Sequence, residues 1–145
     1  TLEALAHHYI CEGVRLVPMM DAQKGNVYAQ EFVWEAGPDG LRLSEKHALS
    51  ILPLTEVIAG LENSEQPVIL LGDAMQKKTT LELPANVRLA PIHAQMPRAA
   101  CVGLAALTRL ARGEMDDPMT AAPLYLRRSE AEVLWEKRHG TEAAQ

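Results

Sequence analysis

The alternation of apolar and polar positions divides the chain into short segments with two different periods. Residues 15–20 form a compact apolar run, and residues 26–35 alternate, with Val27, Ala29, Glu31 and Val33 on one parity and Tyr28, Gln30, Phe32 and Trp34 on the other. Both read as strands, the second with apolar weight on both faces. Between them Asp21, Ala22, Gln23, Lys24 and Gly25 form a polar turn. Asp21 can accept hydrogen bonds from the turn backbone there, and Gly25 can take a positive φ that other residues resist. Gly37-Pro38-Asp39-Gly40 predicts a second turn, which returns a third antiparallel strand over residues 41–49 and completes a meander.

Helical spacing frames this meander. Residues 2–11 read as a leading helix, and a helix from about Pro53 carries Leu54, Val57, Ile58 and Leu61 and ends near Asn63. Residues 67–71 are continuously apolar, as in a strand covered on both faces. Gly72 and Asp73 punctuate it, Asp73 caps a short helix expected over residues 74–81, and residues 87–90 read as a fifth strand. The longest helix is expected over residues 98–112, closed by Gly113. It is apolar around most of its circumference apart from Arg98, Arg109 and Arg112, so it is expected to be substantially buried. Residues 114–122 read as a linker, 124–126 as a short strand and 129–138 as a final helix. The element order predicts an α/β fold with a mixed five-stranded sheet, an antiparallel three-stranded meander and flanking helices. That is the order of the ribonuclease H-like unit which actin-like proteins contain twice. The expected division is a domain over residues 1–122, leading helix included, and a tail over 123–145.

Composition narrows the chemistry. A chain of 145 residues with 48% hydrophobic content can hold a real core, burying roughly 70% of the surface it exposes when unfolded. Aromatics are only 4%, so that core must be built from Leu, Val, Ala and Met, with Phe32, Trp34 and Trp135 as rare large pieces. The net charge of -5 disfavours unaided binding to a phosphate backbone, so no direct nucleic-acid contact is expected. Cys11 and Cys101 lie in apolar helical contexts with no paired spacing and read as buried reduced thiols. No apolar stretch approaches the roughly 18 residues needed to cross a bilayer, and no leader pattern opens the chain, so a cytoplasmic protein without membrane association is expected. Residue 1 is a Thr set against an apparent helix, which reads as part of a longer protein.

Candidate reactive groups are sparse. His7, His8, His47, His93 and His139 include no pair at the i, i+4 spacing that turns two imidazoles toward one metal, so no metal site is expected. A phosphate loop needs clustered backbone N–H groups, whereas the Asp21–Gly25 turn has one glycine beside an acid, with Lys24 as a single compensating charge. It reads first as a hairpin organised by Asp21 and Gly25. Gly72-Asp73 ends a buried strand, where open α/β sheets hold ligands, and is also the ordinary chemistry of a strand-to-helix turn. Neither cysteine has a His and Asn constellation, and Ser44, Ser50, Ser64 and Ser129 lie in no nucleophile elbow. No catalytic residue and no cofactor is expected.

The turn from Met20 to Tyr28, taken with Pro123-Leu124-Tyr125-Leu126-Arg127-Arg128-Ser129-Glu130-Ala131-Glu132, resembles the bacterial TsaB family, partner proteins needed to make threonylcarbamoyladenosine in transfer RNA. The resemblance is to the C-terminal half of that family: residues 1–6 match the helix after its N-terminal half, and residues 125–139 match its tail. It implies a non-catalytic scaffold for a catalytic paralogue (TsaD-like) working with an ATPase subunit (TsaE-like), with a homodimer as a further option. It also sets the Asp21 hairpin where actin-like ATPases keep a phosphate-binding hairpin. The motif residues are Asp21, Gly25, Tyr28, Gly72 and Asp73. Tyr125, Arg127, Arg128 and Trp135 belong to a tail that is either a solvated amphipathic helix or a docking element. The alternative from another class is a degenerate nucleotide- or metal-dependent hydrolase, glycoprotease-like, of the actin-like superfamily.

Overall fold

A computed structural model describes residues 1–38, 40–76, 81–124, 126, 135 and 138. The chain divides into two compact units, Thr1–Met115 and Asp116–Gln145. The first contains α1 (Leu2–Ala6), β1 (Arg15–Asp21), β2 (Asn26–Gly37), β3 (Gly40–Pro53), α2 (Leu54–Gly60), β4 (Val68–Leu71), β5 (Val87–Leu89), a single 3-10 turn (Ile92–Ala94) and α3 (Ala99–Ala111). The strands form one mixed sheet in the order β3-β2-β1-β4-β5. β1 pairs antiparallel with β2, which pairs antiparallel with β3, while β1, β4 and β5 run parallel.

The period of two in the strands becomes two cores, one on each face of the sheet. Val17 and Met19 of β1, Val27 and Ala29 of β2 and Val68 and Leu70 of β4 pack with Leu54, Val57 and Ile58 of α2. The opposite parity, Leu16, Phe32, Trp34 and Leu71, packs with Leu2, Leu5 and Ala6 of α1. His7 follows α1 and is buried too: its Nδ1 donates to the Glu3 carbonyl at 2.9 Å, and its ring meets Trp34 edge-on at 5.2 Å. α1 is tied to α3 by Arg109 Nη2 donating to Glu3 Oε2 at 2.6 Å, a half-exposed pair that contributes at most about 1 kcal/mol.

Pro18 is fully buried in the central strand and has no N–H to give. The β1–β2 register is the same on both sides of the proline, Leu16↔Phe32 and Met19↔Ala29, whereas the β2–β3 ladder shifts on both sides of Glu31. The irregularity thus falls on the segment of β2 facing the proline. β3 is the open edge of the sheet. Its charged side chains reach inward to β2: Lys46 donates to Glu35, and Gln30 Nε2 donates to Glu45 Oε2 at 2.5 Å. The hydrogen bond from Lys46 holds the Glu35 carboxyl below its ordinary pKa. The small stability this adds is therefore present at neutral pH and is lost as pH falls through the lowered value.

Several expected elements differ. The leading helix stops at Ala6 rather than Cys11, because the His8 and Tyr9 amides turn back to Leu5 and Ala6 in i→i−3 bonds. The chain then reaches Gly13 at φ +73° and bridges Trp34 through Glu12. Cys11 is in consequence half-buried; Cys101 is buried, and both are free thiols. Burial, and then neighbouring Cys11, hold the Tyr9 phenol above its ordinary pKa. β3 continues past residue 49 to Pro53, since Tyr28↔Ile51 and Val27↔Leu52 remain paired. Residues 74–76 form a turn instead of starting a helix, with the Gln76 amide on the Asp73 carbonyl. The largest departure is α3: only Cys101 and Ala105 are buried, and Val102, Leu104, Leu107 and Leu110 are exposed.

In the second unit, the Met119 amide donates to Asp117 Oδ1 at 2.9 Å and the Ala121 amide to the Asp117 carbonyl, forming a short turn. Leu124 and Leu126 are in irregular backbone, not the expected strand, and Trp135 is exposed. Tyr125, Arg127, Arg128 and most of the helix expected at 129–138 lie outside the described residues.

Candidate functional site

Parallel pairing sets the site. β1 and β4 run side by side, Arg15↔Val68 through Pro18↔Leu71, so their C-terminal ends emerge together. Asp21 is the last residue of β1, and Asp73 follows β4 by two residues. The Asp21 amide donates to Asp73 Oδ1 at 3.2 Å, and the Gln23 amide donates to Asp21 Oδ1 at 2.8 Å. One oxygen of each carboxylate is therefore engaged by backbone. Asp21 orders the hairpin, and Asp73 fastens the hairpin to the exit of β4. Asp73 thus acts across strands rather than as the helix cap expected of it.

The hairpin is a tight left-handed turn. Gln23, Lys24 and Gly25 all have positive φ, at +64°, +54° and +83°. The Ala22 amide donates to the Asn26 carbonyl at 3.0 Å and the Asn26 amide to the Gln23 carbonyl at 3.0 Å, closing the loop, and the Leu54 amide donates to the Gly25 carbonyl at 3.0 Å. The turn therefore also receives the start of α2. Gly25 is required for its conformation and not for space, because a Cβ there would meet nothing within 4 Å. Gly25→Val is expected to lower stability by about 1–3 kcal/mol, since a β-branched residue resists positive φ. A denaturation midpoint equal to that of the parent chain would contradict it.

These elements enclose an open cleft of about 350 Å³, with Asp21, Gln23, Lys24, Asn26, Asp73 and Gln76 on its walls. It gathers two carboxylates, three primary amides from Gln23, Asn26 and Gln76, and one lysine. Of the residues singled out from sequence, Asp21, Gly25 and Asp73 meet here. Gly72 lies beneath, at φ +92° against the backbone of β1. Tyr28 does not join them: it packs with the α1-side core and is paired with Met20 and Ile51.

Sequence reasoning missed a second cleft, of about 480 Å³, on the α2 face. The irregular ladder around Glu31 brings that carboxylate to 3.5 Å from Arg15 Nη1 and 3.9 Å from His47 Nε2, with Ser50 and Glu56 also lining the space. Shared parity of Glu31 with the core residues Val27, Ala29 and Val33 is the signal that could have marked it, a carboxylate on an apolar stripe. Among the described residues no three His, Cys, Asp or Glu side chains gather as a metal site, and no helix is long and apolar enough to cross a membrane.

No protein-family model matches the chain, and no curated protein matches it in sequence. Solved structures do match in fold. One is an uncharacterized protein with similarity to peptidase YEAZ from Pseudomonas aeruginosa, with a TM-score of 0.64 and 22% identity over 87% of this chain. Another is YeaZ from Pseudomonas aeruginosa, with a TM-score of 0.61 and 23% identity over 86% of this chain. The fold is ribonuclease H-like, of the actin-like kind. The chain spans 56% of the length of each of these two structures.

Proposed function

We propose that this chain is the C-terminal half of a TsaB-like protein and acts as a non-catalytic partner in the synthesis of threonylcarbamoyladenosine in transfer RNA. The observation that carries the reading is the likeness in fold to YeaZ, the Pseudomonas name for TsaB, over 86% of this chain. The resemblance of residues 20–28 and 123–132 to that family supports it independently. So does the chemistry of the cleft, where Asp21 and Asp73 each give a carboxylate oxygen to a backbone amide in an arrangement that organises the hairpin. On this reading a TsaD-like paralogue supplies the transfer chemistry, a TsaE-like subunit the ATPase, and the assembly works in the cytoplasm.

The test is a reconstituted modification assay. With the TsaD-like and TsaE-like components and the enzyme that makes the threonylcarbamoyl donor, this chain alone is expected to leave modified transfer RNA at background. An N-terminally extended chain is expected to restore it. Full activity from the 145 residues would overturn the half-protein reading. A second reading, a degenerate hydrolase of the actin-like superfamily, is favoured by the position of the 350 Å³ cleft at the C-terminal ends of two parallel strands. It would be supported by magnesium-dependent hydrolysis of a nucleotide that is lost in Asp21→Asn.

A further inference from the structure

The 480 Å³ cleft on the α2 face shares no lining residue with the cleft at Asp21, and the proposed function gives it no role. The β2–β3 irregularity builds it. Ala29 and Glu31 are two apart on β2 and share a face, whereas their partners Ser50 and His47 are three apart on β3. One extra residue on β3 thus brings Ser50 and His47 to the same face, the re-aiming of side chains that a bulge performs. α2 forms the facing wall with Glu56, Val57 and Gly60.

The polar groups of this cleft are incompletely paired. Arg15 Nη1 stands 3.5 Å and His47 Nε2 3.9 Å from one oxygen, Glu31 Oε2, and neither makes a hydrogen bond to it. Arg15 Nε and Glu31 Oε2 are both buried without a hydrogen-bond partner. An arginine and a carboxylate that close on each other sit at about 2.7–2.9 Å, so this pair is held open, with donor and acceptor capacity left over. Glu56 is exposed and has no ion-pair partner among the described residues. With the imidazole neutral, Arg15 against Glu31 and Glu56 leaves the lining one negative charge.

Gly60 adds an independent observation. It is outside the left-handed region, and a Cβ there would meet no atom within 4 Å, so neither conformation nor packing requires a glycine at the end of α2. Its missing side chain leaves the cleft open.

We infer that this cleft binds a small primary amine carrying a neutral hydrogen-bond acceptor and an apolar body, the chemistry of an α-amino amide or of the first residue of a peptide. The ammonium lies toward Glu56 and supplies the missing positive charge. The carbonyl accepts from the Arg15 guanidinium, which is free to turn because no hydrogen bond ties it to Glu31. The apolar body rests on Val17, Ala29, Leu52 and Val57, part of the α2-side core. The volume suits a ligand of this size, and an open cleft with so few anchors sets the affinity in the millimolar range.

The test is an amide-resolved NMR titration of the whole chain with leucinamide, at constant ionic strength, up to tens of millimolar. Saturable shifts are expected around Glu31 and His47 and along Glu56–Gly60. N-acetyl-leucinamide, which has no charge, should bind tenfold or more weakly, and 3-methylbutylamine, which lacks the carbonyl, severalfold more weakly. Glu56→Gln should weaken leucinamide by tenfold or more. Gly60→Leu should abolish binding while keeping the parent's melting temperature, because its side chain enters open space. Glu62→Gln, an exposed acid outside the cleft, should change nothing. Leucyl-glycyl-glycine separates the two sources: tighter binding than leucinamide assigns a peptide N-terminus, and equal or weaker binding assigns a free amino amide. The inference is overturned if no saturable shifts appear at these residues, if N-acetyl-leucinamide binds as well as leucinamide, or if binding survives both Glu56→Gln and Gly60→Leu.

Discussion

Gly72→Ala is expected to cost on the order of 3–5 kcal/mol, the upper range for a single substitution. A Cβ built on Gly72 lies 2.0 Å from the Met19 carbonyl oxygen, 3.0 Å from the Met19 carbonyl carbon and 3.3 Å from Leu5 Cδ1, at a φ of +92°. Positive φ accounts for roughly 1–2 kcal/mol of the loss for an L residue. The rest comes from the carbonyl, which belongs to the central strand and cannot swing aside as a flexible side chain would. Relief requires β1 and β4 to part where they are paired, Pro18↔Leu71, which also opens the cleft between Asp21 and Asp73. Gly13 provides the comparison, since it has φ +73° with nothing within 4 Å of its Cβ position. Gly13→Ala should therefore show the conformational cost alone. Denaturant midpoints of the two variants decide the matter: equal losses would mean that no close approach exists at Gly72.

Leu5→Ala is expected to lose about 2–5 kcal/mol, because the side chain is fully buried and its removal leaves a cavity between α1 and the sheet. α1 has only five residues and is far too short to persist by itself, so its helicity depends on that contact. Unfolding measurements together with the near-ultraviolet signal of Trp34, which packs in the same cluster, would check the expectation. A loss below 1 kcal/mol would mean that α1 is not part of the cooperative unit. Combining Leu5→Ala with Gly72→Ala gives a sharper test. The truncation removes only the 3.3 Å contact and leaves the clash with Met19 in place, so the losses should nearly add.

Where local pattern and packing agreed, the sequence was readable. The parity of β2 put Val27 and Ala29 on one core and Phe32 and Trp34 on the other, as found. Gly25 was legible as a positive-φ position because a polar turn between two strands leaves few alternatives. Gly72 was legible only as punctuation. Its close approach to Met19 depends on the parallel pairing of strands more than fifty residues apart, which no local signal carries. The same holds for Asp73, whose partner is the Asp21 amide, 52 positions away in sequence, and not the start of a helix. The meeting of Glu31, Arg15 and His47 was hidden because it follows from the irregular β2–β3 ladder around Glu31, which no local pattern announces. α3 misled for a physical reason: an apolar circumference reports that a helix needs covering and does not say that its own chain supplies the cover.

The open edge of the sheet shapes how this protein avoids aggregating. β3 is fourteen residues long and presents one row of backbone donors and acceptors to no neighbouring strand of the sheet, which is the template on which further strands assemble. Its middle is guarded. Arg42, Glu45, Lys46 and His47 are exposed there, and the β2–β3 shifts around Glu31 bend the ladder beneath them. Another strand sliding along this edge would have to strip water from those charges and follow an irregular path. Past His47 the guard changes in kind, since Ala48-Leu49-Ser50-Ile51-Leu52 carries no charge and relies on its shortness and on Pro53, which ends the strand. A chemical change that neutralised Lys46 would remove a gatekeeper next to that uncharged stretch. The hazard in storage or concentration is therefore fibre growth from the second half of β3.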